Sequence, residues 1–444
     1  MQAIYQCCCG LDVHKRSIAA CVRRLLENGS VHQETRTFGT MTPDLLELSD
    51  WLAAEGVTHV ALEATGSYWK PVYNILEGRF KLVLVNARHF KHVPGRKTDV
   101  QDCQWLAQLL QAGLLKGSFI PERPQREFRD LTRHRSQLVA EKNRAANRIQ
   151  KILEDANIKL ASVVSDIQGV SAQAMLREIV AGQTDAEAMA DLARGRLRTK
   201  LPELEKALTG LVQPHHRYLL AMQLGHIDFL DEQIDNISAE IARQVEAMSQ
   251  PPTLPTPKPL EPEAGEGAPA SPSNVPLTWT AAVALLDTIP GIDDQAAQEI
   301  LAEIGIDMHQ FSTDKDLAAW AGLAPGNKES AGRHYSGRTR KGNQTLKASL
   351  VQIAWAAVRT KGTFLKARYH RLAARRGKKR AIVAIAHSIL VSVWHMLSNR
   401  IPYADLGGAY YDQRSKDTKV AYLTQQLEKL VGGVVHIEMQ PVPA

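Results

Sequence analysis

In the stretch RKTDVQDCQWLAQLL two carboxylates, Asp99 and Asp102, stand one helical turn apart at the head of an apolar helix. A helix start explains part of this. Thr98 serves as N-cap, Gln101 completes a capping box, and Asp99 meets the positive end of the helix dipole. Trp105, Leu106, Leu109 and Leu110 supply the buried face at helical spacing. Capping leaves Asp102 unexplained, and i, i+3 geometry sets it above Asp99 on one side of the helix. Two further acids lie at telling places, Asp12 at the end of a strand in GLDVHK and Glu63 at the end of another in ALEATGSYW. Four acids brought together repel one another unless cations neutralise them, and oxygen-only ligation selects Mg²⁺ or Mn²⁺. Two such ions about 4 Å apart stabilise both the entering and the leaving oxygen of a phosphodiester.

The elements that must position these acids are legible. YQCCCGLDVH, SIAACVRRLL and VHQETRTF read as three successive strands, TPDLLELSDWLAAEG as a helix, HVALEA as a fourth strand, SYWKPVYNILEG as a helix and KLVLVN as a fifth strand. Three meandering strands followed by alternating helix and strand predict a mixed sheet with helices on its faces, the ribonuclease H arrangement. There the first and fourth strands are neighbours, so Asp12 and Glu63 converge at one edge, and the helix of Asp99 and Asp102 packs against it.

Beyond this α/β domain, 1–125, the chain reads as helical over 126–248. Leu220, Ile227, Ile234, Ile241 and Met248 recur every seven residues with Leu230 and Ile237 between them, a seam that suits either a coiled coil between copies or a long helix packed on its own domain. The stretch 249–276 holds nine prolines and reads as a flexible linker. A mostly helical domain, 277–400, follows. It opens with LLDTIPGIDDQAAQEILAEIG, which looks like a helix-hairpin-helix whose turn offers N–H groups to a phosphate. The tail, 401–444, shows no usable motif.

Composition narrows the function. The apolar share of 44% and charged share of 23% are those of a globular protein. No signal core precedes GLDVHK and no apolar run reads as long enough to span a bilayer, so a cytoplasmic, nucleoid-associated bacterial protein is expected. Cys7, Cys8, Cys9, Cys21 and Cys103 lack C-x-x-C spacing and read as buried thiols rather than a disulfide or zinc framework. Net charge is +7, yet the stretch from Arg333 to Arg380 carries 15 basic residues and no acid, leaving the remainder with 39 basic against 47 acidic groups. So one-sided a region points to a polyanion partner.

GLDVHK, ALEATGSYW and KTDVQDCQWLAQLL are similar to the blocks of the DEDD-type insertion-sequence transposases, insertion-sequence family 110, whose catalytic domain resembles the RuvC resolvase. IPGIDDQAAQEILAEIG and AGLAPGNKESAGRHYSGRTRKGN are similar to that family's C-terminal transposase domain. The resemblance implies that Asp12, Glu63, Asp99 and Asp102 form a metal-binding tetrad and that Ser330 in KESAGR is a nucleophile, with Ser336 its rival. Arg333, Arg338, Arg340, Lys341 and Lys347 become candidates for nucleic-acid contacts. The family's frequent Ser-Gly pair is replaced here by Ser330-Ala331-Gly332, and its usual Ala after the last Asp by Cys103.

The expected function is DNA strand cutting and rejoining through a phosphoserine link, with donor and target DNA, an element-encoded guide RNA and a second or fourth copy of the chain as partners. A metal-dependent junction resolvase or nuclease that uses water as nucleophile is the alternative. A non-catalytic nucleic-acid organiser would have no need for four converging acids.

Overall fold

The computed structural model describes residues 4–64, 66–85, 99–250, 277–326, 328–339 and 341–433, without the side chains of 99–101, 328–330, 334–336, 412 and 414–419. The chain divides into two compact units, Met1–Pro121 and Glu122–Ala444. The proposed caps Thr98 and Gln101, Arg340 and most of the proline-rich linker lie outside the described residues or side chains.

The first unit is a five-stranded sheet in the order β3-β2-β1-β4-β5. Its strands are β1 (Cys7–Val13), β2 (Ile18–Leu25), β3 (Val31–Phe38), β4 (His59–Glu63) and β5 (Lys81–Val85). The two hairpin pairs are antiparallel, whereas β1–β4 and β4–β5 are parallel, joined through helices α1 (Thr42–Ala54) and α2 (Trp69–Leu76). The expected neighbour relation between the first and fourth strands is therefore present. Every residue of β1 is buried because both faces of this central strand are covered. Cys7, Cys9 and Leu11 pack with Leu48 and Leu52 of α1 and Leu76 of α2. On the opposite face Cys8 packs with Leu106, Leu109 and Leu110 of α3 (Asp99–Gln111). All five cysteines are buried thiols outside any disulfide, as their spacing suggested.

The second unit is largely helical. Helix α4 (Arg123–Asp155) leads through α5 (Leu160–Val163), α6 (Val170–Ala181), α7 (Ala186–Ala190) and α8 (Leu201–Leu208) to α9 (Pro214–Ser249). The bonds His216–Asp155 and Lys142–Asp231 show that α4 and α9 run antiparallel. Part of the seven-residue seam is covered from within the chain, since Leu220 and Ile227 join the core of α4, α6 and α8. Beyond the linker come α10 (Trp279–Asp287), α11 (Asp294–Ile304) and α12 (Asp314–Trp320). A hairpin of β6 (Lys328–Ser330) and β7 (Arg333–Ser336) follows, then α13 (Gln344–Ala357), α14 (Phe364–Arg376), α15 (Lys378–Asn399) and α16 (Tyr410–Val431).

The fold bears on three expectations. First, the Pro-Gly turn does join two helices, α10 and α11; within it the Ile292 N–H donates to Ile289 O at 3.0 Å, and Asp293 caps α11 with Asp294 beside it. Gly291, at φ 88°, is there because a side chain would begin 2.5 Å from the Ala357 nitrogen. Second, α15 is a helix of 22 residues long and apolar enough to cross a membrane, against the reading that no such run exists. Half of that apolar stretch is buried, with Ile385, Ala386, Ile389, Leu390 and Val393 inside the protein, which is how a core helix passes the same test. Third, the tail contains α16, whose Val420, Leu423, Leu427 and Leu430 are exposed at spacings of three and four.

Candidate active site

Strand register places the first two acids. In the parallel β1–β4 pair Gly10 is opposite Ala61 and Leu11 opposite Leu62, so Asp12 and Glu63 come next in line, on the face shared with Gly10 and Ala61. Both are nearly buried, Asp12 at 8% and Glu63 at 7% exposure.

Helix α3 brings the third. Ile4 N–H donates to Gln111 O at 2.8 Å, the Cys8 thiol bonds Ala107 O at 3.5 Å, and Gly10 faces the backbone of Cys103 and Ala107. Along β1 the helix thus runs backwards, its C-terminus near residue 4 and its N-terminal turn towards Asp12. Asp102 is half-buried in that turn, and the backbone of Asp99 begins it. Cys103 beside it is buried, and its thiol is held protonated by a hydrogen bond with Cys21, then by burial and the charges around it, Asp12 among them.

Close approach of helix and strand depends on Gly10. A Cβ there would lie 2.5 Å from the Ala107 nitrogen and closer still to the Cys103 carbonyl oxygen, both backbone atoms that cannot rotate away. Gly10→Ala is expected to cost about 1–3 kcal/mol by overpacking. The urea midpoint of the first unit measures this, and metal-dependent activity should fall with it because α3 is displaced.

Asp12, Glu63 and Asp102 offer only oxygen donors, the set a hard cation takes, although among the described residues their ligand atoms do not come together as one group within 4.8 Å. His14 Nε2 lies 3.1 Å from Asp12 Oδ2, a contact that orients the carboxylate.

The group that does bring its ligand atoms together lies in the second unit, and one of its rings is engaged in hydrogen bonds. Asp155, His215 and His216 have ligand atoms close enough to hold an ion. The Gln213 N–H donates to His216 Nδ1 at 3.1 Å, so Nε2 carries the ring hydrogen and donates to Asp155 Oδ2 at 2.8 Å. With both nitrogens engaged, this ring ties α9 to α4.

In the second unit Ser330 ends β6 and pairs with Arg333 across a two-residue turn. Ala331 (φ 50°) and Gly332 (φ 73°) both occupy the left-handed region, as the tightest hairpins require. The unusual Ala331 costs about 1–2 kcal/mol there. Ser336 pairs with Lys328, putting it at the base of the hairpin with Ser330 near its tip.

The stem is braced from below. Lys347, expected to touch nucleic acid, instead donates from Nζ to Gly322 O at 3.0 Å and to Thr339 Oγ1 at 2.8 Å. Half-buried under the loop, its ammonium is spent on the loop's own acceptors. Asn343 caps α13 through its Oδ1 and donates from Nδ2 to Glu303 Oε2 at 2.6 Å. Arg333, Arg338 and Lys341 are exposed.

A mixed sheet of this order, with acids at the ends of its first and fourth strands and a third in the first turn of the covering helix, is consistent with a RuvC-like, ribonuclease H-type domain. Residues 9–158 match the IS110-type DEDD family described as Transposase, and residues 283–370 match the Transposase IS116/IS110/IS902 family. The two matches together span just over half of the sequence, and the chain belongs to the IS110 family of transposases. It is similar to the transposase for insertion sequence element IS1111A of Coxiella burnetii, 32% identical over 126 residues, which are 27% of this chain and 33% of that one. It is also similar to y4rJ of Sinorhizobium fredii, a transposase by name, 26% identical over 281 residues, 62% of this chain and 58% of the other. The chain therefore aligns with a third to somewhat over half of the length of these relatives.

Proposed function

We propose that this protein cuts and rejoins DNA strands to move an insertion sequence, with Asp12, Glu63, Asp99 and Asp102 holding Mg²⁺ or Mn²⁺ and Ser330 as nucleophile. What supports the reading is the register of the parallel β1–β4 pair, whose next residues in line are Asp12 and Glu63. Bound divalent ions would there neutralise charge on a phosphodiester in displacement.

The residues of the chain do the rest. Ser330 Oγ attacks phosphorus and loses its proton. A P–Oγ bond forms, the P–O3′ bond breaks, and a 3′ hydroxyl leaves. Attack by another 3′ hydroxyl then restores the phosphodiester and frees the serine, so bond energy is conserved without ATP. The position of Ser330 at the hairpin tip favours it over Ser336. Arg333, Arg338 and Lys341 steady phosphate charge. The reading includes an element-encoded RNA that pairs with both DNAs, and a homodimer or tetramer, with the exposed flank of the α9 seam as one surface for coiled-coil contact between copies.

The test is trapping. Protein, Mg²⁺ and element-end DNA are mixed and denatured, and a covalent protein–DNA adduct is expected from the wild type and from Ser336→Ala but not from Ser330→Ala, a loss of more than about 10³-fold. Clean cutting retained by Ser330→Ala would instead establish hydrolysis by water.

A further inference from the structure

The basic stretch from Arg333 to Arg380 acquires a shape in the fold. Beside the serine hairpin, walled by α14 and α15, lies a cavity of about 1060 Å³. Arg338 reaches it from the irregular segment after β7, Arg368 and Arg376 from α14, and Lys379, Arg380 and His387 from α15. No carboxylate is among its described lining residues, and Asp314 is the acid near enough to act on His387. Among the described residues, Arg368, Arg376, Lys379 and Arg380 make no ion pair. Five cations converge here, four of them without a carboxylate partner, and their repulsion is relieved by an anion.

Spacing decides which anion. Arg368 and Arg376 are eight residues apart, about 12 Å along α14, and Arg380 and His387 about 10 Å apart along α15. No single phosphate touches both ends of such a row, whereas a nucleic-acid strand carries one charge per about 3.4 Å of axis. The cavity is also at the upper limit of small-ligand pockets, about 300–1,000 Å³. Leu372 and Val383 add apolar wall suited to sugar. Burial, then the charge of Arg368, lowers the His387 pKa below the ordinary histidine value, so at neutral pH it contributes a hydrogen bond rather than a sixth charge.

We infer that this cleft grips the phosphodiester backbone of a nucleic-acid strand next to the serine hairpin, through Arg338, Arg368, Arg376, Lys379 and Arg380. Contacts of this kind set the register of the strand and are indifferent to its sequence. The inference rests on the reading of the hairpin as the strand-cutting element, but binding is measured without cutting.

The test compares the full chain with Arg376→Glu/Lys379→Glu/Arg380→Glu and with a control of equal charge change at exposed residues elsewhere in the unit, Arg194→Glu/Arg196→Glu/Lys200→Glu. Fluorescence anisotropy with labelled single-stranded DNA, duplex DNA and single-stranded RNA is recorded without divalent metal over a range of salt. The cleft variant should bind at least one polymer about 10-fold more weakly, with a log–log salt slope shallower by about 2, and the control should stay within about 3-fold of wild type. The polymer that suffers the loss identifies the occupant, and the milder Lys379→Ala/Arg380→Ala should move the same way. Unchanged binding of all three polymers, or equal loss in the control, overturns the inference. If wild type forms no adduct but the cleft variant loses binding, the cleft stands and the serine chemistry falls. If wild type forms the adduct but the cleft variant binds as well as wild type, the serine chemistry stands and the cleft falls.

Discussion

Asp12→Asn is expected to reduce metal-dependent DNA cleavage by about 10³-fold or more while leaving the melting temperature nearly unchanged. The asparagine keeps the size and one oxygen of the side chain but removes a negative charge from beside Glu63 at a site only 8% exposed. A cation held there loses a charged ligand, and about 4 kcal/mol of lost stabilisation corresponds to roughly a thousandfold in rate. Folding should change little, because the asparagine keeps the shape of the side chain and an oxygen to face His14. Cleavage assays with Mg²⁺, paired with thermal denaturation in EDTA, read both effects. A fall in stability that matches the fall in rate would assign Asp12 a structural role.

The second large effect belongs to Glu303, which is 2% exposed. Arg133 holds its carboxylate in a two-pronged pair at 2.6 and 2.9 Å, Arg129 Nε stands 3.4 Å away, and Asn343 donates from the base of α13. Burial lowers the Arg129 pKa to about 10, which still leaves it charged at neutral pH. Glu303→Ala strands these donors and is expected to cost about 3–5 kcal/mol, read as a lower urea midpoint for the second unit. Glu303→Gln keeps an acceptor and should cost less. Because Asn343 starts the helix that follows the basic loop, the alanine variant should also weaken Ser330 adduct formation beyond what its unfolded fraction explains.

Much of the N-terminal fold that would position the candidate site was legible because strand order follows from local pattern. Three short-turn strands and then two crossovers force the fourth strand against the first, and acids at their ends become neighbours without any knowledge of packing. The helix of Asp99 and Asp102 was legible from its apolar spacing. What escaped depended on three-dimensional partners. Gly10 reads as any strand glycine until a helix backbone is found lying on it. Lys347 reads as one more cation in a basic run until Gly322 and Thr339 turn out to claim its protons. Glu303 reads as one of three acids on a short helix, and nothing local reveals that two arginines from α4, some 170 residues earlier, end there. The seven-residue seam of α9 was visible, but periodicity is blind to whether its partner comes from the same chain. Val420, Leu423, Leu427 and Leu430 did signal α16 by spacing, a pattern short enough to be passed over in a tail.

The central claim is that Asp12, Glu63 and Asp102, with Asp99, form one divalent-metal centre. Crystals of the full chain grown with Mn²⁺ and measured at the manganese absorption edge test it most directly. Anomalous peaks between the ends of β1 and β4 and the N-terminal turn of α3, absent in Asp12→Asn, are the predicted result. Mn²⁺ bound elsewhere, at Asp155 and His215 for instance, with none beside Asp12 and Glu63, would contradict it.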